Sequence, residues 1–111
     1  MQPQSVTPQF VTHYPRSVPP RFGLGERVRV RNTAPLGHIR TPFYIRGNTG
    51  VIERYCGAFP NPEELAQMRD GLPAQPLYRV RFRQKEVWPD YGGGEADVLE
   101  IEIYQHWLEK A

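Results

Sequence analysis

The chain has 111 residues, with 14 lysines and arginines against 12 acidic residues and a net charge of +2 at pH 7. This length allows one small domain with a modest core, and the near balance of charge lacks the dense positive field that nucleic-acid binding requires. A single cysteine, Cys56, excludes an internal disulfide and a cysteine-rich zinc site, and the lack of a membrane-spanning apolar run or a signal-peptide pattern leads us to expect a cytoplasmic protein without a membrane partner.

The amino-terminal segment, residues 1–22, is rich in proline and has no apolar periodicity. Because each proline fixes its own φ and removes a hydrogen-bond donor, the segment favours extended conformations. We therefore predict an extended tail that is mobile unless it docks on another chain. Its aromatic residues, Phe10, Tyr14 and Phe22, either anchor it on a partner surface or are incidental.

From residue 23 to residue 111, short runs of alternating polar and apolar residues are separated by turn residues, which is typical of a small all-β domain. In "ERVRVR", Val28 and Val30 fall on one face and the arginines on the other. "RGNTGVIERY" predicts a turn at Gly47 and Asn48 followed by a second strand, and "LYRVRF" and "DVLEIEIY" predict two more. We predict four or five strands in an SH3-like, partly open barrel.

The predicted barrel includes one short helix, in "NPEELAQMRDG" at residues 61–71. Asn61 is a suitable N-cap, Pro62 suits the first helical position, and Gly71 is a typical stop. The pattern predicts two to three turns, with Leu65 and Met68 on one face that covers an open end of the barrel.

Residues that carry chemistry are few, and no phosphate loop, nucleophile elbow or histidine pair at ligand spacing occurs. The triple glycine of "YGGGEAD" precedes a strand and is interpreted as a hairpin loop. Cys56 is interpreted as a small buried hydrophobe. The remaining candidates lie in "GHIRTPFYIRGNTG": His38 and two arginines, Arg40 and Arg46, whose guanidinium groups are either solvated charges or directed at one anion.

Several separated blocks resemble one known family: "GHIRTPFYIRGNTG", "GAF", "LYRVRF", "KEVWPD" and the terminal "WLEKA". Together they are similar to the carboxy-terminal domain of the nitrile hydratase β subunit and to the corresponding small subunit of thiocyanate hydrolase. The resemblance covers nearly everything after residue 22.

This resemblance implies a role in an enzyme whose metal is held by a different subunit. In the family, a non-corrin cobalt(III) or non-haem iron(III) sits in a claw of cysteines, two of them oxidised, in an α-type subunit. Arginines of the β-type chain hydrogen-bond to the oxidised sulfurs. Arg40 matches the claw-binding arginine, and His38 beside it is a further candidate catalytic residue. Arg46 matches a recurring family arginine, with claw binding and packing of its loop as the open alternatives.

Two departures from the family pattern limit what the chain does alone. It lacks the "C-x-x-C-S-C" claw motif, so we expect no metal site or other cofactor in this chain and no activity when it is isolated. It also lacks the helical amino-terminal half of a nitrile hydratase β subunit, which is expected as a separate partner beside the metal-binding subunit. The substrate would be a small nitrile or thiocyanate. The alternative without the resemblance is an SH3-like protein-interaction module that has no catalytic role.

Overall fold

The structure is a computed structural model that describes residues 16–32 and 43–111. Its strands form one antiparallel sheet of five strands in the order β4-β3-β2-β1-β5. The strands are β1 Arg27–Val30, β2 Thr49–Phe59, β3 Gln75–Arg83, β4 Val98–Tyr104 and β5 Leu108–Lys110. The predicted all-β class is confirmed, as are the strands expected from the four alternating runs.

The alternation of apolar residues places one face of the sheet in the core. Val28 and Val30 of β1 are fully buried, while Arg27 and Arg29, which alternate with them, are exposed. The same alternation orients β3, as predicted. The core cluster contains Phe22, Val28, Val30, Ile45, Ile52, Tyr78, Val80, Phe82, Val87, Ile103, Trp107 and Leu108.

The long strand β2 bends while it pairs with both β1 and β3. Its register against β3 shifts between Ile52 and Arg54 and again between Tyr55 and Gly57. Such irregularities bend a strand and increase its twist, which curves the sheet around the core. The predicted turn before β2 is confirmed, since Gly47 has a φ of +80°, a conformation that glycine adopts without steric cost.

The predicted helix begins as expected but is too short. Helix α1 spans Pro62–Leu65 and is capped by Asn61, whose side chain accepts a hydrogen bond from the Glu63 backbone N–H. Met68 has a φ of +63°, and the Arg69 backbone N–H donates to the Glu64 carbonyl. This bond closes a Schellman-type helix end, so the chain leaves the helix after one turn.

The predicted role of the helix face is therefore wrong. Leu65 is 49% exposed and Met68 is 95% exposed, so neither side chain covers an end of the sheet. The capping signals predict the start of the helix correctly. They do not predict its end, because Met68 occupies a left-handed position that usually favours glycine.

Three short helical elements have no counterpart among the predictions. Helix α2 spans Gln84–Val87 directly after β3, and two 3₁₀ helices span Phe43–Ile45 and Gln105–Trp107. The glycine-rich stretch after α2 is a loop, as interpreted. Its Asp97 carboxylate accepts hydrogen bonds from the Tyr91 hydroxyl and the Gly94 backbone N–H.

The described part of the predicted tail, residues 16–22, packs on the folded domain of its own chain. Ser17 forms a parallel bridge with Ala74, and the Val18 N–H donates to the Ala74 carbonyl at 2.8 Å. Phe22 is only 8% exposed and belongs to the core. Docking on another chain, which we expected to hold the tail, is therefore not required for residues 16–22. Residues 1–15 lie outside the described residues.

A buried polar group fixes the end of this segment. The Tyr78 hydroxyl donates to Gln105 Oε1 at 2.7 Å, and the same oxygen accepts the Arg21 backbone N–H at 2.8 Å. The Gln105 amide donates to the Pro19 carbonyl at 3.1 Å. Burial raises the pKa of the Tyr78 hydroxyl, so the phenol stays protonated and keeps its donor.

Candidate functional site

The loop predicted to carry the site is described only at its ends. His38 and Arg40 fall within residues 33–42, which lie outside the described residues. Of the predicted site residues, the structure describes Arg46, which follows the 3₁₀ helix Phe43–Ile45. Claw binding by Arg40 and a catalytic role of His38 stay predictions.

The two ends of this loop are held together by backbone hydrogen bonds. The Val30 N–H donates to the Asn48 carbonyl at 2.9 Å, and the Gly47 N–H donates to the Val30 carbonyl at 2.8 Å. Ile45 lies in sequence between the loop and Gly47, and its side chain is fully buried in the core. The residues that precede and follow the loop thus meet at one fixed base on β1.

Arg46 is half-buried and packs on an aromatic ring. Its guanidinium carbon lies 5.3 Å from the centroid of the Trp107 ring, in the range of a cation–π contact. Trp107 is 3% exposed, and its carbonyl accepts the Arg31 backbone N–H at 2.8 Å. The side chain of Arg46 is therefore attached to the carboxy-terminal 3₁₀ helix, beside the point where the chain leaves β1.

The buried Trp107 indole has one unusual feature. Among the described residues, no acceptor lies within hydrogen-bond distance of its Nε1–H. Buried donors in native proteins nearly always have an acceptor. The indole N–H of Trp107, beside Arg46, is therefore an unsatisfied buried donor within the described residues.

A second aromatic contact holds the residue just after the loop. Tyr44 stacks on Trp88 with ring centroids 5.0 Å apart and an interplanar angle of 25°. The Trp88 indole N–H donates to Gln84 Oε1 at 2.8 Å, which fixes the ring against α2. Tyr44 remains 43% exposed. Sequence reasoning missed this pair, because only the family block "KEVWPD" drew attention to Trp88.

The arginines on the exposed face of the sheet differ from Arg46. Each of four arginines there lies within 3.0 to 3.6 Å of a carboxylate. The pairs are Arg29 with Glu109, Arg79 with Glu102, Arg81 with Glu53 and Arg83 with Glu95. A hydrogen bond with Glu53 also raises the pKa of the Glu100 carboxyl on this face. These are solvated, locally balanced charges.

Of the other histidines, His13 lies outside the described residues and His106 is structural. His106 Nε2 forms a short contact with Glu63 Oε1, and Glu63 is only 8% exposed. The Tyr104 ring lies 5.8 Å from the imidazole. This pair joins α1 to the 3₁₀ helix Gln105–Trp107 and gives no open position for a ligand.

The thiol of Cys56 is half-buried, and desolvation raises its pKa, which keeps it protonated and weakly nucleophilic. Within the part of the chain that the structure describes, no group of three or more histidine, cysteine or acidic side chains is placed to hold a metal ion. In the same residues, no helix is long and apolar enough to cross a membrane.

An open groove lies beside α1, and Arg46 does not line it. The groove has a volume of about 560 Å³ and is lined by Phe59, Pro60, Pro62, Leu65, Leu77, Glu102, Ile103 and Tyr104. Its lining has one carboxylate and no nucleophile, so it offers no catalytic arrangement.

Comparison with protein families gives a match over residues 11–110 to the family described as nitrile hydratase beta subunit, C-terminal. The chain is 34% identical over 93 residues to a nitrile hydratase subunit beta from Pseudomonas chlororaphis, covering 83% of this chain and 41% of that one. It is 38% identical over 92 residues to thiocyanate hydrolase subunit alpha from Thiobacillus thioparus, covering 82% and 72%.

A cobalt-containing nitrile hydratase subunit beta from Pseudonocardia thermophila is 35% identical over 89 residues, covering 80% of this chain and 36% of that one. Among solved structures, the recombinant apo-enzyme of thiocyanate hydrolase from Thiobacillus thioparus matches with a TM-score of 0.80 and 35% identity, over 87% of this chain and 81% of that one. The chain thus spans about two fifths of the length of the nitrile hydratase subunits and most of the thiocyanate hydrolase subunit.

Proposed function

The chain belongs to the family formed by the carboxy-terminal domain of the nitrile hydratase β subunit, and on that premise we propose that it is the non-metal-binding subunit of a nitrile hydratase or thiocyanate hydrolase type of enzyme. The observation that carries the proposal is the match over residues 11–110, together with a similarity that covers 72% of a thiocyanate hydrolase subunit. The chain corresponds to the carboxy-terminal domain of a β-type subunit.

The proposed partners follow from what the chain lacks. Its single cysteine cannot form a cysteine claw, so a metal-binding α-type subunit must supply cobalt(III) or iron(III). A helical chain equivalent to the amino-terminal half of a nitrile hydratase β subunit would complete the assembly. The metal, when bound in the partner, would activate a C≡N group of a small nitrile or thiocyanate toward water.

Arg40 is the residue proposed to contact the claw. Oxidised cysteine sulfurs carry anionic oxygens, and a guanidinium presents planar, paired N–H donors to such oxygens while remaining charged at all working pH values. His38, two residues earlier, would lie beside it and contribute a further polar contact. Both belong to the loop whose ends meet at β1.

Co-expression with the two expected partners tests the proposal. The chain, carrying an affinity tag, is purified with a "C-x-x-C-S-C" chain and a helical β-like chain, and the product is analysed for cobalt and iron and assayed with nitriles and thiocyanate. We expect a complex of fixed stoichiometry that contains the metal and is active, whereas the isolated chain contains no stoichiometric metal and is inactive. Failure to co-purify would favour the interaction-module alternative, and tightly bound metal in the isolated chain would contradict the proposal.

A further inference from the structure

Strand β4 is one edge of the sheet, and within residues 16–32 and 43–111 no strand pairs with its free side. Its other side pairs with β3 over all seven residues, without a shift of register. Natural edge strands are often short, bulged or interrupted by proline, because free backbone N–H and C=O groups can pair with another chain. Strand β4 has none of these features, whereas the opposite edge strand, β5, has only three residues. Strand β4 therefore offers a long, regular row of backbone groups to a further strand.

The core face of β4 is incompletely covered. Leu99 and Ile101 pack against the core but are only partly buried. Their direct neighbours on β3, Phe82 and Val80, are 1% and 0% exposed. The difference arises because β4 has a neighbouring strand on one side only. A further strand with apolar residues on this face would cover Leu99 and Ile101 and extend the core.

The solvent face of β4 carries two carboxylates that continue a pattern of alternating charge. Glu100 is directly opposite Arg81 of β3, which also lies 3.6 Å from Glu53 of β2. Glu102 is directly opposite Arg79, and their side chains lie 3.4 Å apart. Opposite charges on facing residues stabilise neighbouring strands, and like charges destabilise them. The charge that complements β4 on a further strand is therefore positive.

A second copy of this chain does not provide that complement. Antiparallel pairing of two β4 strands centred on Ile101 places Glu100 of each copy opposite Glu102 of the other. Parallel pairing in register places each glutamate opposite the same glutamate of the other copy. Both arrangements bring like charges together, which is destabilising. The carboxylates thus disfavour edge-to-edge dimers and favour a partner of opposite charge.

We propose that the free edge of β4 is a docking site for an extended segment of a partner protein in which lysine or arginine alternates with apolar residues. Main-chain hydrogen bonds to β4 hold this segment as a further strand. Its basic side chains face Glu100 and Glu102, and its apolar side chains cover Leu99 and Ile101. The proposal does not depend on the proposed function, because it concerns one strand of this chain and neither the claw nor Arg40.

Model peptides test this site on the isolated chain. The probe is a capped peptide of alternating lysine and valine, as long as β4. One control peptide replaces lysine with glutamate, and another replaces valine with proline, which keeps the charge but removes backbone donors. In NMR titrations, only the lysine–valine peptide should shift the backbone amide signals of residues 99–103. High salt should weaken its binding, since the ion pairs are exposed.

Reversal of the two charges on β4 tests the selection of the partner. The double variant Glu100→Lys/Glu102→Lys should bind the lysine–valine peptide at least about tenfold more weakly and should bind the glutamate–valine peptide instead. Glu109→Lys, at an exposed glutamate of β5, is the matched control and should bind both peptides like wild type. Thermal unfolding of each variant checks that the domain remains folded.

Three results would each overturn the proposal. The first is that the lysine–valine peptide leaves the amide signals of residues 99–103 unmoved, or moves them no more than the two control peptides do. The second is equal affinity of wild type and the double variant for this peptide. The third is an isolated chain that is dimeric by light scattering with slow hydrogen exchange along β4, because a second copy would then occupy the edge.

Discussion

The same alternating sequence pattern forms the inner and the outer face of the sheet, but the contacts on the two faces differ. On the inner face, Val28, Val80 and Phe82 are almost completely buried. On the outer face, Arg79 stands directly opposite Glu102 on the neighbouring strand, and their side chains lie 3.4 Å apart in solvent. Burial of apolar area stabilises the first arrangement strongly, whereas exposed ion pairs contribute little.

The difference between the faces shows that the role of an arginine in this chain depends on the groups around it. The residue type alone does not indicate that role. Many of the arginines lie on the outer face, where glutamates of neighbouring strands or of the loop before β4 balance them. Arg46 lies at the base of a loop and packs on a buried tryptophan. The first group forms exposed ion pairs, whereas Arg46 makes a directed contact with an aromatic face.

We expect the largest effect on stability in the core, on the inner side of the sheet, when Phe22 is replaced. Its ring packs edge-on against Tyr78 at 5.7 Å, so Phe22→Ala should lower the free energy of unfolding by about 3 kcal/mol through lost burial and a cavity. Urea unfolding of the isolated chain measures this loss. Leu24→Ala is the matched control, since Leu24 is exposed. Equal stability of the two variants would mean that residues 16–22 are not part of the core.

A smaller loss is expected when the buried hydroxyl of Tyr78 is removed. Tyr78→Phe keeps the ring but leaves the backbone N–H of Phe22 and an oxygen of Gln105 without this partner, at a cost of about 1 to 3 kcal/mol. Chemical denaturation again provides the measurement. Tyr55→Phe, at an exposed tyrosine, should change stability by less than about 0.5 kcal/mol. If both variants were equally stable, the hydrogen-bonded network around Gln105 would have no energetic role.

The same hydroxyl predicts a pH dependence at the alkaline end. Burial raises the pKa of Tyr78 in the folded chain, so folding favours the protonated phenol. Its contribution to stability is complete below the pKa of the unfolded chain, about 10, and is lost as the pH rises through the folded-state pKa. The stability difference between wild type and Tyr78→Phe, measured from pH 7 to pH 11, should therefore shrink above about pH 10. A difference that stays constant would contradict this assignment.

The smallest effect is expected on the outer face. Arg29→Ala and Glu109→Ala each break an exposed ion pair and should each change the free energy of unfolding by no more than about 0.5 kcal/mol, with the change decreasing further in high salt. Thermal unfolding at low and high ionic strength measures both. A loss comparable to that of Phe22→Ala would mean that the two faces are not as different as their burial indicates.

Much of the fold could be predicted from local patterns. The alternation of Val28 and Val30 with arginines, and the same pattern in β3 and β4, identified the strands and their buried faces. The end of α1 could not be predicted in this way, because Met68 adopts a left-handed conformation that its residue type does not favour. The sequence places Phe22 in a tail, because a high proline content indicates the local conformation of a segment. It does not show whether that segment packs on distant strands.

The candidate site was only partly predictable for a similar reason. Residue types and family blocks indicated His38, Arg40 and Arg46, but the contacts that distinguish Arg46 involve tryptophans far away in sequence. Neither Trp88 nor Trp107 carries a periodic or motif signal that connects it to the loop. Such pairs are determined by the course of the whole chain, and only the structure brings them together.

Replacing Arg40 with lysine in the assembled complex tests the central claim most directly. Loss of the planar donors at a buried charged contact should cost a few kcal/mol, so turnover should fall by about 100-fold or more, at roughly 1.4 kcal/mol for each factor of ten. The isolated chain should keep its melting temperature. Arg29→Lys, on the outer face, is the control and should turn over like wild type. If Arg40→Lys and Arg29→Lys complexes assemble and react equally fast, Arg40 does not bind the oxidised cysteines and the account is wrong.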